Sequence, residues 1–295
     1  MAAPKIEYRI GDCNEVLKDF PENHFDAVVT DPPYFFPHGF MGTDWDDIES
    51  DQSAEGIELP PESGTGLATG EWHKRWAANV LRVTKPGGHI LAFSSPSTGH
   101  WLGYGLEEAG WEVRTQIYWV FGSGWPKGLN ISKAIDKSLG KEPIKIGVRY
   151  EHQPIGGEHG GVYGAREGIV TETKPATPEA ALWEGWNTAL KPAAEPIFVA
   201  RKPLEGSVAE NVLKWGVGGI NIQACRIACG TRKIGITTGP GQPTVVAYGD
   251  GLNSRPTVWK EDDLGRYPAN LILDRDAADV LDKMSDTVEG SGETT

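Results

Sequence analysis

Phe25-Asp26-Ala27-Val28-Val29-Thr30-Asp31-Pro32-Pro33-Tyr34 is the stretch on which the reading of this chain turns. Its first six residues make a largely apolar, β-branched run of strand length, the pattern of a parallel strand buried on both faces. The proline pair ends the run and leaves Asp31 at its carboxyl end, where open α/β sheets bind their ligands. The tetrapeptide Asp31–Tyr34 also suggests a chemistry. An amino group conjugated to an aromatic ring has two N–H donors, a delocalised lone pair and no easily lost proton. A carboxylate and a neighbouring carbonyl can accept both N–H bonds and turn the lone pair out of the ring plane toward an electrophilic methyl group. Asp31 and the Pro32 carbonyl form such a pair. Pro32 and Pro33 stiffen it, because proline fixes φ and has no N–H, and Tyr34 offers a ring for stacking. Taken alone, the same four residues are equally an ordinary X-Pro-Pro turn after a strand.

Working outward, Lys5 to Ile10 alternates polar and apolar residues and leads through Gly11-Asp12-Cys13 into a short helix from Asn14 to Phe20, capped by Asp or Asn. Downstream, residues 35–70 form a long Gly-, Pro- and acid-rich loop of the functional or mobile kind. The spacing of Trp72, Trp76, Val80, Leu81 and Val83 predicts a helix, stopped by Lys85-Pro86-Gly87-Gly88 and followed by a strand over His89–Phe93. A further helix over Thr98–Ala109 and a strand over Trp111–Phe121 complete the alternation. Repeated strand-helix-strand units argue for an α/β fold with a mostly parallel, doubly wound sheet.

The pattern breaks after Phe121. A short helix near Ile131–Leu139 sits in a Gly-rich polar region reaching about residue 180. Glu195 to Arg201 reads as an edge strand because of Pro196, and Ala269–Leu273 as a final strand. The expected organisation is a catalytic α/β core over 1–121 and an insertion over 122–190 that is a candidate for target recognition. A return strand of the core over 191–204 and a second irregular segment over 205–273, again a recognition candidate, precede a flexible tail over 274–295.

The 295 residues suffice for one large domain with insertions or two small ones, and 38 glycines and 21 prolines imply many loops. No stretch is apolar enough to span a bilayer and the first residues lack a signal h-region, so the expected location is the cytoplasm of a bacterial or phage-infected cell. Cys13, Cys225 and Cys229 form no C-x-x-C pair, and neither they nor the seven histidines show metal-ligand spacing, so no metal site is expected. The absence of a Pro-Cys dipeptide disfavours covalent attack on a pyrimidine. The net charge of −13 speaks against a polyanionic partner, but it is unevenly spread. Residues 1–80 hold 5 basic and 16 acidic side chains and residues 261–295 hold 3 and 10, which leaves 81–260 at +5. Lys133, Arg201 and Lys202 belong to this basic middle and could follow a phosphate backbone or simply face solvent.

Several ordered blocks resemble the permuted, beta-class-like amino DNA methyltransferases of the N-4/N-6 DNA methylase family, in bacterial and phage forms. They are Gly11-Asp12-Cys13, Asp31-Pro32-Pro33-Tyr34, Gly39 to Trp45, Val83 to His89, Ile117 to Lys127 and Leu190 to Ile197. The resemblance spans nearly all of residues 5–273. It implies a Rossmann-like methyltransferase fold in circularly permuted order, with irregular recognition insertions. It implies too that Asp31, Pro32, Pro33 and Tyr34 engage a base flipped out of double-stranded DNA, that S-adenosylmethionine supplies the methyl group, and that Gly11, Asp12 and Asp31 lie near that cofactor. Asp12 is also a natural helix N-cap. Aspartate at the first motif position favours adenine N6 over cytosine N4. Trp125 and Lys127 are candidates for DNA contact or, for the tryptophan, plain packing.

This sequence departs from the pattern in one respect. The Asp-Pro-Phe-x-Gly-Ser-Gly type cofactor loop, expected near the C-terminus, is not found before Thr295. A second chain or a missing C-terminal segment is expected to complete the cofactor site. Other readings are a non-catalytic DNA-binding or partner subunit, an N4-cytosine enzyme, and an amine methyltransferase acting on RNA or protein.

Overall fold

The computed structural model describes residues 6–35, 65–122, 128–153, 166–228, 232–237, 257–262 and 265–286. They fall into two compact units, one formed by Met1–Gly218 with Leu271–Thr295 and the other by Gly219–Asn270.

The first unit is an α/β structure built on a five-stranded sheet. Its strands are β1 (Phe25–Thr30), β2 (Thr84–Phe93), β3 (Glu112–Val120), β6 (Ala194–Arg201) and β9 (Leu271–Leu273), in the spatial order β1-β2-β6-β3-β9. The β1–β2 and β3–β9 pairs are parallel, whereas β6 runs antiparallel to both β2 and β3. The sheet is therefore mixed where a mostly parallel one is expected. Strand β6 is also central, not at an edge. Pro196 accepts from the Ser94 amide through its carbonyl but cannot donate in return, so the antiparallel ladder loses one bond there, just past the end of β2 at Phe93.

Two helices cover the sheet, α2 (Thr65–Val83) and α3 (Gly99–Glu108). Trp76, Ala77, Val80 and Val83 recur on one face of α2 and are buried, as the helical period requires. Trp76, Ala77 and Val80 meet Ile90 and Ala92 of β2, Leu102 and Leu106 of α3, Trp111, and Phe198 and Ala200 of β6 in one core. Full burial of a side chain such as Leu102 or Ile90 contributes about 2 kcal/mol. Close approach of the two helices depends on Gly105, where a Cβ would come to 2.5 Å from the His73 Cβ and 2.8 Å from the Gly70 carbonyl. The indole of Trp111 donates to the Ala77 carbonyl at 3.0 Å, so its polar end is satisfied inside the core.

The amino-terminal part departs from expectation in two ways. Residues 6–10 have no regular secondary structure and join no strand among the described residues, and Ile6, Tyr8 and Ile10 are exposed. Strand β1 is covered on one edge only, by β2; its other edge is open among the described residues, and Val29 is 71% exposed. The expected helix near Asn14 is present as α1 (Cys13–Val16), continued by a 3₁₀ turn over Leu17–Asp19.

Between β3 and β6 lie α4 (Ile131–Ser138), the antiparallel hairpin β4 (Ile144–Gln153) and β5 (Arg166–Lys174), and α5 (Pro178–Leu182). Helix α6 (Val208–Trp215) follows β6. Its buried Asn211 accepts from the Glu205 amide and donates to the Pro86 and Val217 carbonyls, which ties α6 to the start of β2. Residues Arg275–Asp286 form helix α7 where a flexible tail is expected. The second unit contains the hairpin β7 (Arg232–Thr237) and β8 (Thr257–Asp262). No helix among the described residues is long and apolar enough to cross a membrane.

Candidate functional site

Strand β1 delivers Asp31 at its carboxyl end, next to the carboxyl end of β2, since Thr30 pairs with Ala92. Asp31 is exposed and its carboxylate accepts no hydrogen bond among the described residues; the Pro32 carbonyl is likewise unengaged. Two adjacent acceptors are thus unspent at the end of a strand, while the residues around them are firmly placed. Pro32 is buried, and Pro33 and Tyr34 are half-buried.

Phe35, directly after the motif, fixes the direction of the chain. It has φ +52°, a left-handed conformation that is costly for a bulky residue, and its ring is only 4% exposed. The ring meets Trp72 edge-on at 4.8 Å between centroids and His73 at 5.9 Å. His73 is itself buried, and burial pushes its pKa down to about 3. Its Nδ1 accepts from the Trp76 indole at 3.1 Å, so the neutral ring carries its proton on Nε2. Behind the motif, the Thr98 hydroxyl donates to the Tyr34 carbonyl at 2.6 Å. None of Phe35, Trp72, His73 and Thr98 is among the site residues expected from the sequence, where Trp72 and Thr98 figure only in predicted helices. The Ser94-Ser95-Pro96-Ser97-Thr98 run after β2 was the available signal for the last of them.

The other sequence-predicted residues are more dispersed. Gly11 has φ +154°, and a Cβ there would come to 3.1 Å from Val16. Asp12 caps α1, its Oδ1 accepting from the Asn14 amide at 2.8 Å, and no hydrogen bond joins it to Asp31. Lys133 is exposed on α4. Arg201 donates through Nε and Nη2 to Glu112 at 3.1 and 2.6 Å. The Lys202 ammonium donates to Asn23 and to the Leu81 and Thr84 carbonyls, each at 2.8 Å, and burial lowers its pKa. Arg201 pairs with His89, at the end of the sheet opposite Asp31. Both cations are therefore committed to internal partners. Trp125 and Lys127 lie outside the described residues. Among the described residues no His, Cys, Asp and Glu set is arranged to hold a metal.

The insertion has an anchor of its own. Asp136 of α4 is buried and accepts from the Ala176 amide at 2.9 Å, the Thr177 hydroxyl at 2.8 Å and the Thr177 amide at 3.1 Å. These bonds, the Ala176 amide foremost, hold its carboxyl below the usual carboxylate range. An open groove of about 530 Å³ is lined by residues 184–190, including Trp186 and Asn187, and by no residue of the Asp31–Tyr34 motif.

No family model matches the chain. A stretch of 92 residues, 31% of the chain, is 25% identical to the Type II methyltransferase M.BamHI of Bacillus amyloliquefaciens. The match spans 18% of that curated relative, about a fifth of its length. Among solved structures, the DNA modification methylase TTHA0409 of Thermus thermophilus, complexed with S-adenosyl-L-methionine, aligns at TM-score 0.32 and 17% identity, over 70% of this chain and 57% of its own. The M1.HpyAVI–SAM complex aligns at 0.29 and 16%, over 65% and 52%. The cytosine-N4-specific PvuII DNA methyltransferase aligns at 0.34 and 14%, over 68% and 51%.

Proposed function

We propose that this chain carries the base-binding site of an amino DNA methyltransferase that moves a methyl group from S-adenosylmethionine to adenine N6. The observation that carries the reading is the unspent acceptor pair, the Asp31 carboxylate beside the Pro32 carbonyl, held at the end of a parallel strand by buried neighbours. The 92-residue similarity to M.BamHI, a Type II methyltransferase, supports the methyltransferase part of this reading.

In this reading Asp31 accepts one N–H of the target amine and the Pro32 carbonyl the other, so the nitrogen lone pair leaves conjugation and faces the methyl donor. The Tyr34 ring stacks on the base, which must leave the duplex because its amine cannot be reached while stacked. Asp12 spends one carboxylate oxygen on the α1 cap and keeps the other free, and Asp31 keeps both; in this reading each offers an anionic acceptor to a cationic sulfonium nucleoside. Bound there, S-adenosylmethionine supplies an electrophilic methyl group. Further chain pairing on the edge of β1 that is open among the described residues, from this or a second polypeptide, provides the remaining cofactor contacts. Lys133 and the segments 122–190 and 205–268 are the candidates for target contact.

The test follows radioactive methyl transfer to unmethylated duplex DNA, with RNA and protein as parallel substrates, and identifies the methylated nucleoside by chromatography. Asp31→Ala is expected to reduce transfer by at least about 100-fold with an unchanged melting temperature. Retained transfer by that variant sinks the reading, and N4-methylcytosine as the product would replace adenine as the target.

A further inference from the structure

The hydroxyls that follow β2 form a chain with only one consistent direction. Thr98 donates to the Tyr34 carbonyl at 2.6 Å, and a carbonyl can only accept, so the single hydroxyl proton of Thr98 is spent there. The 2.8 Å contact between the Ser95 and Thr98 hydroxyls must then have Ser95 as donor. Ser95 has now spent its own proton, so at the 2.9 Å contact between Ser95 and Ser97 the donor is Ser97. The Thr98 amide also donates to the Ser95 hydroxyl, at 3.2 Å. Every proton in the series points toward one carbonyl, and such chains polarise one another, so the terminal bond is stronger than an isolated one.

The carbonyl so held belongs to the peptide between Tyr34 and Phe35. On its far side Phe35 is fixed by its buried ring and left-handed φ. The relay and the Phe35 ring therefore clamp the same peptide from two directions. We infer that Thr98, supported by Ser95 and Ser97, is the positioning residue that sets the orientation of the Asp31–Tyr34 segment toward its base, an inference that rests on the reading proposed above. Thr98 touches no reacting atom. Its hydroxyl decides how well the acceptor pair is aimed, so its loss slows the chemical step and leaves cofactor binding unaffected.

Four variants of the full chain test this: Thr98→Val, which keeps the shape and removes the hydroxyl, Thr98→Ser, which restores it, Ser95→Ala and Ser97→Ala. Two readouts are taken, hydrogen exchange of the Tyr34 and Phe35 amides and methyl-transfer kinetics. Thr98→Val is expected to speed exchange at these amides by about tenfold and to lower kcat by about tenfold with the KM for S-adenosylmethionine unchanged. Thr98→Ser returns both to near wild type. Ser95→Ala has an intermediate effect and Ser97→Ala the smallest, because each sits one bond further from the carbonyl. Unchanged exchange in Thr98→Val, or no recovery in Thr98→Ser, overturns the relay. If the wild-type chain transfers no methyl group while exchange follows the predicted order, the proposed activity fails and the relay stands.

Discussion

At the scale of single residues, the site is held by groups that break local rules and are compensated nearby. Phe35 occupies a left-handed conformation that costs on the order of 1 kcal/mol for a side chain of its kind. Burial of its ring against Trp72 and His73 more than offsets that cost. A specific inversion follows. Phe35→Ala loses the ring and keeps the strain, with an expected loss of about 3 kcal/mol in urea unfolding. Phe35→Gly loses the ring but relieves the strain, so it should equal or exceed the alanine variant in stability, against the usual order of these two residues. An alanine variant clearly more stable than the glycine one would show that the backbone there is unstrained. His73 makes a second prediction. Its folded pKa, about 3, lies below the ordinary 6.5, so between these values the unfolded chain binds a proton that the folded chain does not. Stability is then complete above about pH 6.5 and falls as pH drops, by roughly 2 kcal/mol at pH 5. Denaturant midpoints at pH 7.5 and 5 measure the slope. His73→Gln should flatten it while keeping an acceptor for the Trp76 indole.

At the scale of elements, most of what positions Asp31 was legible. The run Phe25–Thr30 is a strand because β-branched and aromatic residues fill it, and the two prolines end it. Helix α2 follows from the spacing of its tryptophans and valines. What was not legible depended on partners. The alternation of residues 6–10 satisfies a strand pattern, yet these residues pair with no strand among the described residues, and alternation alone does not supply a partner. Pro196 suggested an edge strand, yet it lies in a central one, where the bond it cannot donate falls just past the end of β2. The β4–β5 and β7–β8 hairpins were hidden by their charged and glycine-rich sequences, because a two-stranded ribbon has no fully buried face to impose a pattern. Phe35 and His73 beside the motif carried no signal, and the hydroxyl run at Thr98 did not reveal its partner, since these roles arise from contacts over 35 residues or more of sequence. Helix α4 shows the same dependence on a distant partner. Asp136 links it to residues 176 and 177, and Thr177 in turn caps α5 through the Ala180 amide. Asp136→Ala should release this segment and not the core. Limited proteolysis near residues 175–180 is expected to speed up by on the order of tenfold, with the main unfolding transition little changed. Because its pKa is lowered in the fold, this anchor is intact above the ordinary carboxylate value and weakens as pH falls below about 4.

At the scale of the whole molecule, charge is the property that must be reconciled with a nucleic-acid partner. A chain of net charge −13, with its acidic excess in residues 1–80, repels a polyanion unless cations gather elsewhere. Arg201 and Lys202 do not supply them, since Glu112 and three internal oxygens already occupy their donors. Lys133, Lys137 and Lys141, on and just after α4, are exposed. If these three contact phosphates, each releases a condensed counterion on binding and adds about 0.9 to the slope of log affinity against log salt. Replacing all three by glutamine should therefore lower that slope by about 2 to 3 and weaken binding at about 50 mM salt far more than at about 200 mM. Fluorescence polarisation with a labelled duplex over that range measures both quantities. A slope unchanged by the triple substitution would remove α4 from the interface and leave DNA contact to the remaining segments of the basic middle. The Asp31→Ala variant should keep the wild-type slope, because Asp31 meets a base and not a phosphate. A loss of activity with an intact slope separates the site that performs the chemistry from the surface that holds the duplex.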